Sequence, residues 1–164
     1  MAVTTKRFAG AVLAASVAVL GAALLSQYWG GLTPCELCLL ERWPWWVAIA
    51  IAAGSWLTGD RLPPQIPALL LVIVFLVGAG LGFYHVGVEQ HWFAGPTACT
   101  AGGAAATSVD ALRAQLLGKQ AVMCDEVQWS LFGVSLAGLN MIASAIMAAA
   151  CVEVARRPRR MRFA

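Results

Sequence analysis

Four apolar runs, separated by short polar or proline-bearing stretches, set the pattern of the chain. They extend over about residues 8–29, 43–58, 66–87 and 129–154. Runs of this kind predict membrane-spanning helices, because in hydrocarbon a helix satisfies all of its own backbone groups. Lys6 and Arg7 precede the first run as they would in a secretory signal. That run exceeds the ~7–15 residues of a signal core and has no polar cleavage region, so it reads as a retained span. Tyr28 and Trp29 at its end suit an interfacial aromatic belt, as do Trp43, Trp45 and Trp46 at the entry to the second.

The second run is short. From Trp43 to Thr58 a helix covers roughly 24 Å against a hydrocarbon core of ~30 Å, which predicts that the preceding loop lies against the membrane surface. Pro44 predicts a break or kink, because its ring clashes with the carbonyl of Leu40 in a straight helix. Pro63, Pro64 and Pro67 make the next connection stiff. Gly78 and Gly82 have the small-xxx-small spacing that lets a neighbouring helix come close.

The expected architecture is an all-α integral membrane domain over residues 1–164, a four-transmembrane-helix bundle with loops at about 30–42 and 88–128 on one side. In the longer loop, Ser108 to Leu117 has the pattern of a short amphipathic helix, with Val109, Leu112 and Leu116 on one face. Composition agrees: 60% of the 164 residues are apolar and 12% charged. Charge then orients the bundle. Lys6, Arg7, Arg61 and the arginines at 156, 157, 159, 160 and 162 fall on one side, and only Arg42, Arg113 and Lys119 on the other. This predicts both termini in the cytoplasm. A basic tail beside a span reads as a topology and lipid-contact signal, so no nucleic-acid partner is expected.

That orientation puts Cys35, Cys38, Cys99 and Cys124 on the outer, oxidising side, with Cys151 near the opposite end of the last span as a packing residue. Thr33 and Glu36 form a capping box with Pro34 at the first helical position, which predicts a helix that starts there, with Cys35 in its first turn and Cys38 one turn further on. The positive end of that helix favours thiolate, most strongly at Cys35, and Arg42 falls four residues beyond Cys38 on the same face. His85 closes the third run as an interfacial histidine or as a donor to a carbonyl.

Three readings suit the four cysteines. A structural disulfide suits Cys99 and Cys124, whose closure is worth ~3 kcal/mol, but not a Cys-x-x-Cys at a helix start. A four-cysteine zinc site needs two close-spaced knuckles, and Cys99 and Cys124 form none, so no metal is expected. A thiol relay uses both pairs, passing electrons through a mixed disulfide to an acceptor. With no dinucleotide, flavin or haem signature in the chain, the acceptor this architecture allows is a quinone dissolved in the lipid bilayer.

Pro34-Cys35-x-x-Cys38-x-x-Glu41-Arg42, the stretch from Leu81 to His85, Pro96-x-x-Cys99 and Cys124-x-Glu126-x-x-Trp129-x-x-x-Gly133 together resemble the disulfide bond formation protein B family. The resemblance covers nearly the whole chain. It implies a bacterial inner-membrane enzyme that reoxidises a periplasmic thioredoxin-fold dithiol oxidase at the expense of ubiquinone or menaquinone. It also implies the roles: Cys99 forms the mixed disulfide with the partner, Cys124 attacks Cys35, and Cys38 is released toward the quinone, with Arg42 and His85 as quinone-binding residues. A vitamin K epoxide reductase-like oxidoreductase and a non-enzymatic four-span scaffold with stapled loops are the rival readings.

Overall fold

The structure is a computed structural model that describes residues 4–96 and 123–156. Cys99 and the expected amphipathic helix from Ser108 to Leu117 lie outside the described residues. Its elements are α1 (Thr5–Tyr28), α2 (Glu36–Leu40), α3 (Arg42–Thr58), a 3-10 turn (Gly59–Arg61), α4 (Gln65–Glu89), a hairpin of β1 (Ser130–Leu131) and β2 (Val134–Ser135), and α5 (Leu136–Arg156). Among the described residues, four helical segments are long and apolar enough to cross a membrane. The protein is a predominantly helical multi-pass membrane protein, with one short hairpin before α5.

The second of these segments runs from Glu36 to Arg61, longer than its apolar core. α2 and the 3-10 turn extend α3 at its two ends, which relieves the mismatch expected from residues 43–58 alone. The break in it falls at Glu41, between α2 and α3, so Pro44 sits in the first turn of α3, where no backbone N–H is needed.

α1 packs on α3, α3 on α4, and α4 most extensively on α5. Glycines set the last contact: a Cβ on Gly82 would stand 2.9 Å from Met141 Cβ, and one on Gly78 3.0 Å from Ser144 Oγ. Both residues of the small-xxx-small pair therefore meet α5 or its neighbours, and dispersion between close backbones replaces the hydrophobic effect that water would supply. The core joins Phe8, Val12 and Leu20 of α1 to Trp45, Leu71, Phe75 and Cys151. Trp45 and Phe75 meet edge to face with centroids 5.3 Å apart. Trp43 and Trp46 face outward as expected of anchors, but Trp45 does not: its ring is 2% exposed.

At one end of the bundle Thr5 Oγ1 donates to the Leu62 carbonyl, and the Lys6 amide donates to Asp60. Lys6, Arg7, Arg61 and Arg156 thus share that end. At the other end, α1 and α5 do not close on each other. The hairpin turn at Phe132 and Gly133, both at positive φ, leads the chain into α5 there.

Candidate functional site

Cys35 caps α2. Its backbone is extended (φ −75°, ψ 174°), and its Sγ accepts from the Cys38 amide at 3.3 Å. The helix therefore starts at Glu36, and the cap is the first cysteine rather than the Thr33 hydroxyl of the expected box. The fold has a chemical consequence that the sequence pattern does not carry. With Cys35 at the cap and Cys38 one turn on, the two sulfurs lie 3.0 Å apart, the Cys35 thiol donating to Cys38.

That hydrogen bond, with burial, pushes the Cys35 thiol up from 9.0 to about 12. The expectation that the helix start makes Cys35 the more acidic thiol is thereby overturned. A single backbone amide reaches its sulfur, and a neighbouring sulfur that takes its hydrogen bond outweighs this. Cys35 is 4% exposed, whereas Cys38 is part-exposed.

His85 comes from the last turns of α4. Its Nε2 stands 3.6 Å from Cys35 Sγ, and its Nδ1 2.7 Å from Glu41 Oε1. The ring is 3% exposed, so His85 is a buried member of the thiol cluster, where the sequence suggested an interfacial residue. Glu41 is held on its other oxygen by the Asn140 amide at 2.8 Å, and the Trp45 indole N–H donates to Asn140 Oδ1 at 2.7 Å. Four segments thus converge on one polar chain: thiol, imidazole, carboxylate, amide and indole. Buried polar groups in a membrane bundle need this kind of mutual satisfaction.

The sequence reading missed Glu41, Asn140 and Trp45 as site residues. Glu41 was visible in the Glu-Arg pair after Cys38. Asn140 carried a weaker signal, as the sole amide side chain within the fourth apolar run.

Cys124 is fully buried and packs in one cluster with Cys35, Leu37 and Val88, with Cys38 at its edge. A cavity of about 640 Å³ opens beside them in the gap between α1 and α5. Cys35, Cys38, Arg42, His85, Glu126 and Trp129 line its polar end, and Val19, Ala23, Leu139 and Ala143 its apolar flank. Arg42 donates to Gln27 Oε1 at 2.7 Å, which fixes its guanidinium on the α1 side of the opening.

These features define a multi-pass helical membrane protein with a buried dithiol at one end and a cavity between two unclosed helices. The family model described as disulfide bond formation protein DsbB matches residues 5–154, and the chain belongs to that family. Disulfide bond formation protein B of Herminiimonas arsenicoxydans is 31% identical over 81 residues, 49% of this chain. The matched segment spans about half of that relative, 51% of its length. No solved structure matches the chain with statistical significance.

Proposed function

We propose that the protein is a membrane protein-dithiol:quinone oxidoreductase that reoxidises a periplasmic thioredoxin-fold dithiol oxidase. The observation that carries this reading is the shared cavity: Cys35, Cys38, Arg42 and His85 line one space between α1 and α5. Its volume lies within the ~300–1,000 Å³ of small-molecule sites, and its apolar flank with a cationic end suits a lipid-soluble ring bearing carbonyl oxygens. When bound, a quinone supplies an acceptor for two electrons and two protons.

The residues divide the work by position. The partner dithiol loses two electrons and two protons and becomes a disulfide, and its electrons arrive by thiol exchange through Cys99 and Cys124. Cys124 attacks the Cys35 sulfur of a Cys35–Cys38 disulfide and releases Cys38 toward the cavity, a role supported by its packing in one cluster with Cys35. His85 Nε2 faces the Cys35 sulfur and is the group to receive or return its proton. Arg42, held by Gln27, would offer positive charge to a carbonyl oxygen of a bound quinone. The basic end of the bundle faces the cytoplasm, and the cysteines face the periplasm.

The test is the purified protein with a reduced thioredoxin-fold dithiol protein and a soluble quinone, followed by quinone absorbance. Turnover is expected and is lost on alkylation of the cysteines. In Cys38→Ser the fold persists and quinone reduction stops; full turnover by that variant would falsify the assignment.

A further inference from the structure

We propose that the reduced Cys35/Cys38 pair and His85 form a binding site for a thiophilic divalent cation of the zinc class, one that exists only in the dithiol state. It stands on the geometry of three donors and not on the reaction assigned above.

The two sulfurs and a His85 ring nitrogen all lie within 4.8 Å of one another. The individual separations are 3.0 Å between the sulfurs and 3.6 Å from Cys35 Sγ to His85 Nε2. Tetrahedral zinc, with bonds of ~2.3 Å to sulfur and ~2.0 Å to nitrogen, needs ligand separations of about 3.5–3.8 Å. Cys35 and the imidazole already have the required spacing, the sulfurs need to part by less than an ångström, and Cys38 stands within 4.8 Å of the ring donor. The two cysteines have the close spacing of a zinc knuckle. No local sequence pattern carries this set, because its third ligand comes from α4, fifty positions from Cys35.

An independent observation comes from the far side of the ring. His85 Nδ1 faces the Glu41 carboxylate at 2.7 Å, and Asn140 holds that carboxylate at 2.8 Å. A carboxylate behind a histidine is the arrangement that fixes the tautomer and raises the basicity of a zinc ligand. The fourth position falls to water from the adjoining cavity, as in three-ligand zinc sites.

Binding breaks two S–H bonds, forms two metal–sulfur bonds and releases two protons to solvent, with no change of oxidation state. Formation of the Cys35–Cys38 disulfide removes both thiolates and with them the site. A bound ion therefore captures the reduced protein and withholds its sulfurs from the acceptor.

The experiment uses the full chain carrying Cys99→Ser and Cys124→Ser, reduced and freed of reductant. It is titrated with cadmium, read by thiolate-to-metal charge-transfer absorption, and with zinc, read by competition against a chromophoric chelator. The expected result is one ion per chain in the reduced protein and none after oxidation of the pair. Glu41→Gln weakens binding by about 10–100-fold, the scale on which a partner behind a ligating histidine acts, and His85→Ala, which removes a ligand, weakens it by at least as much, whereas Cys151→Ser leaves it unchanged. In the protein with all its cysteines reduced, zinc slows alkylation of Cys38 and a chelator restores it. Equal affinity in the oxidised protein, or an affinity indifferent to both His85→Ala and Glu41→Gln, overturns the proposal.

Discussion

Glu41, at the α2–α3 junction, and His85, on α4, meet at 2.7 Å between Oε1 and Nδ1, and this contact aims the other ring nitrogen at Cys35. The carboxylate is itself positioned by Asn140, and Asn140 by the Trp45 indole. Replacing Asn140 with Leu leaves a carboxylate oxygen and an indole N–H without partners in a region where Trp45 is buried. The expected loss is about 1–3 kcal/mol per orphaned group, read as a lower unfolding midpoint in detergent. A purely structural role ends there. If Asn140 positions the thiol cluster, the pH profile of dithiol oxidation also moves, and Asn140→Gln restores part of both.

The Cys35 thiol, held up at about 12 by its hydrogen bond to Cys38 and by burial, stays protonated through the physiological range. In the reduced Cys99→Ser/Cys124→Ser protein, iodoacetamide at pH 8 is therefore expected to modify Cys38 and spare Cys35, as read by mass spectrometry. In Cys38→Ala the sulfur that holds the Cys35 proton is gone, and the midpoint of Cys35 alkylation against pH falls toward the ordinary 9.0. An unmoved midpoint would show that burial alone protects Cys35. The sign for stability follows from linkage. The folded pKa lies above the unfolded one, so this contribution is whole below about pH 9 and is lost as pH rises toward about 12.

The spans were legible because the apolar runs, apart from the short second one, are long, and Gly78 and Gly82 were legible because small residues at that spacing have few other uses in a membrane helix. The Cys-x-x-Cys pair and Arg42 were legible because their chemistry is local. The rest of the site was hidden by distance along the chain. Glu41 and His85 are separated by 44 positions, and Glu41 and Asn140 by 99, so only packing of α4 and α5 beside the α2–α3 junction joins them. The error at Cys35 has a different origin. A helix-terminus argument counts the dipole and the amide, but not a second sulfur 3.0 Å away, and the closer partner wins.

Gly82 and Gly80 lie two positions apart on α4 and face different surroundings. A Cβ on Gly82 would meet Met141 Cβ at 2.9 Å and its Cα at 3.0 Å, and one on Gly80 would meet nothing within 4 Å. Gly82→Ala forces α4 and α5 apart and is expected to cost about 1–3 kcal/mol, with Gly82→Leu worse. Gly80→Ala is expected to be neutral or slightly stabilising, since alanine is the better helix former. Thermal unfolding of the two alanine variants in the same detergent checks the contrast. Equal midpoints would mean that the α4–α5 contact does not depend on close approach at Gly82.

Arg42 begins α3 and reaches to Gln27 of α1, so these two helices are tied beside the cavity by a hydrogen bond of 2.7 Å. A guanidinium held in this way keeps its direction, and a charge-assisted bond of this kind is worth about 1.5–3 kcal/mol. Gln27→Leu removes the acceptor but leaves the charge, and Arg42→His removes the guanidinium itself. If Arg42 polarises a carbonyl oxygen of the acceptor, both variants raise the quinone KM, by about 10-fold or more in Arg42→His and by less in Gln27→Leu. Neither touches the sulfurs, so the alkylation pattern of Cys35 and Cys38 stays as in the parent protein. Initial rates over a range of quinone concentrations, at fixed reduced partner, separate the two effects. A KM unchanged in Arg42→His would remove Arg42 from the quinone site and leave it as a tie between α1 and α3.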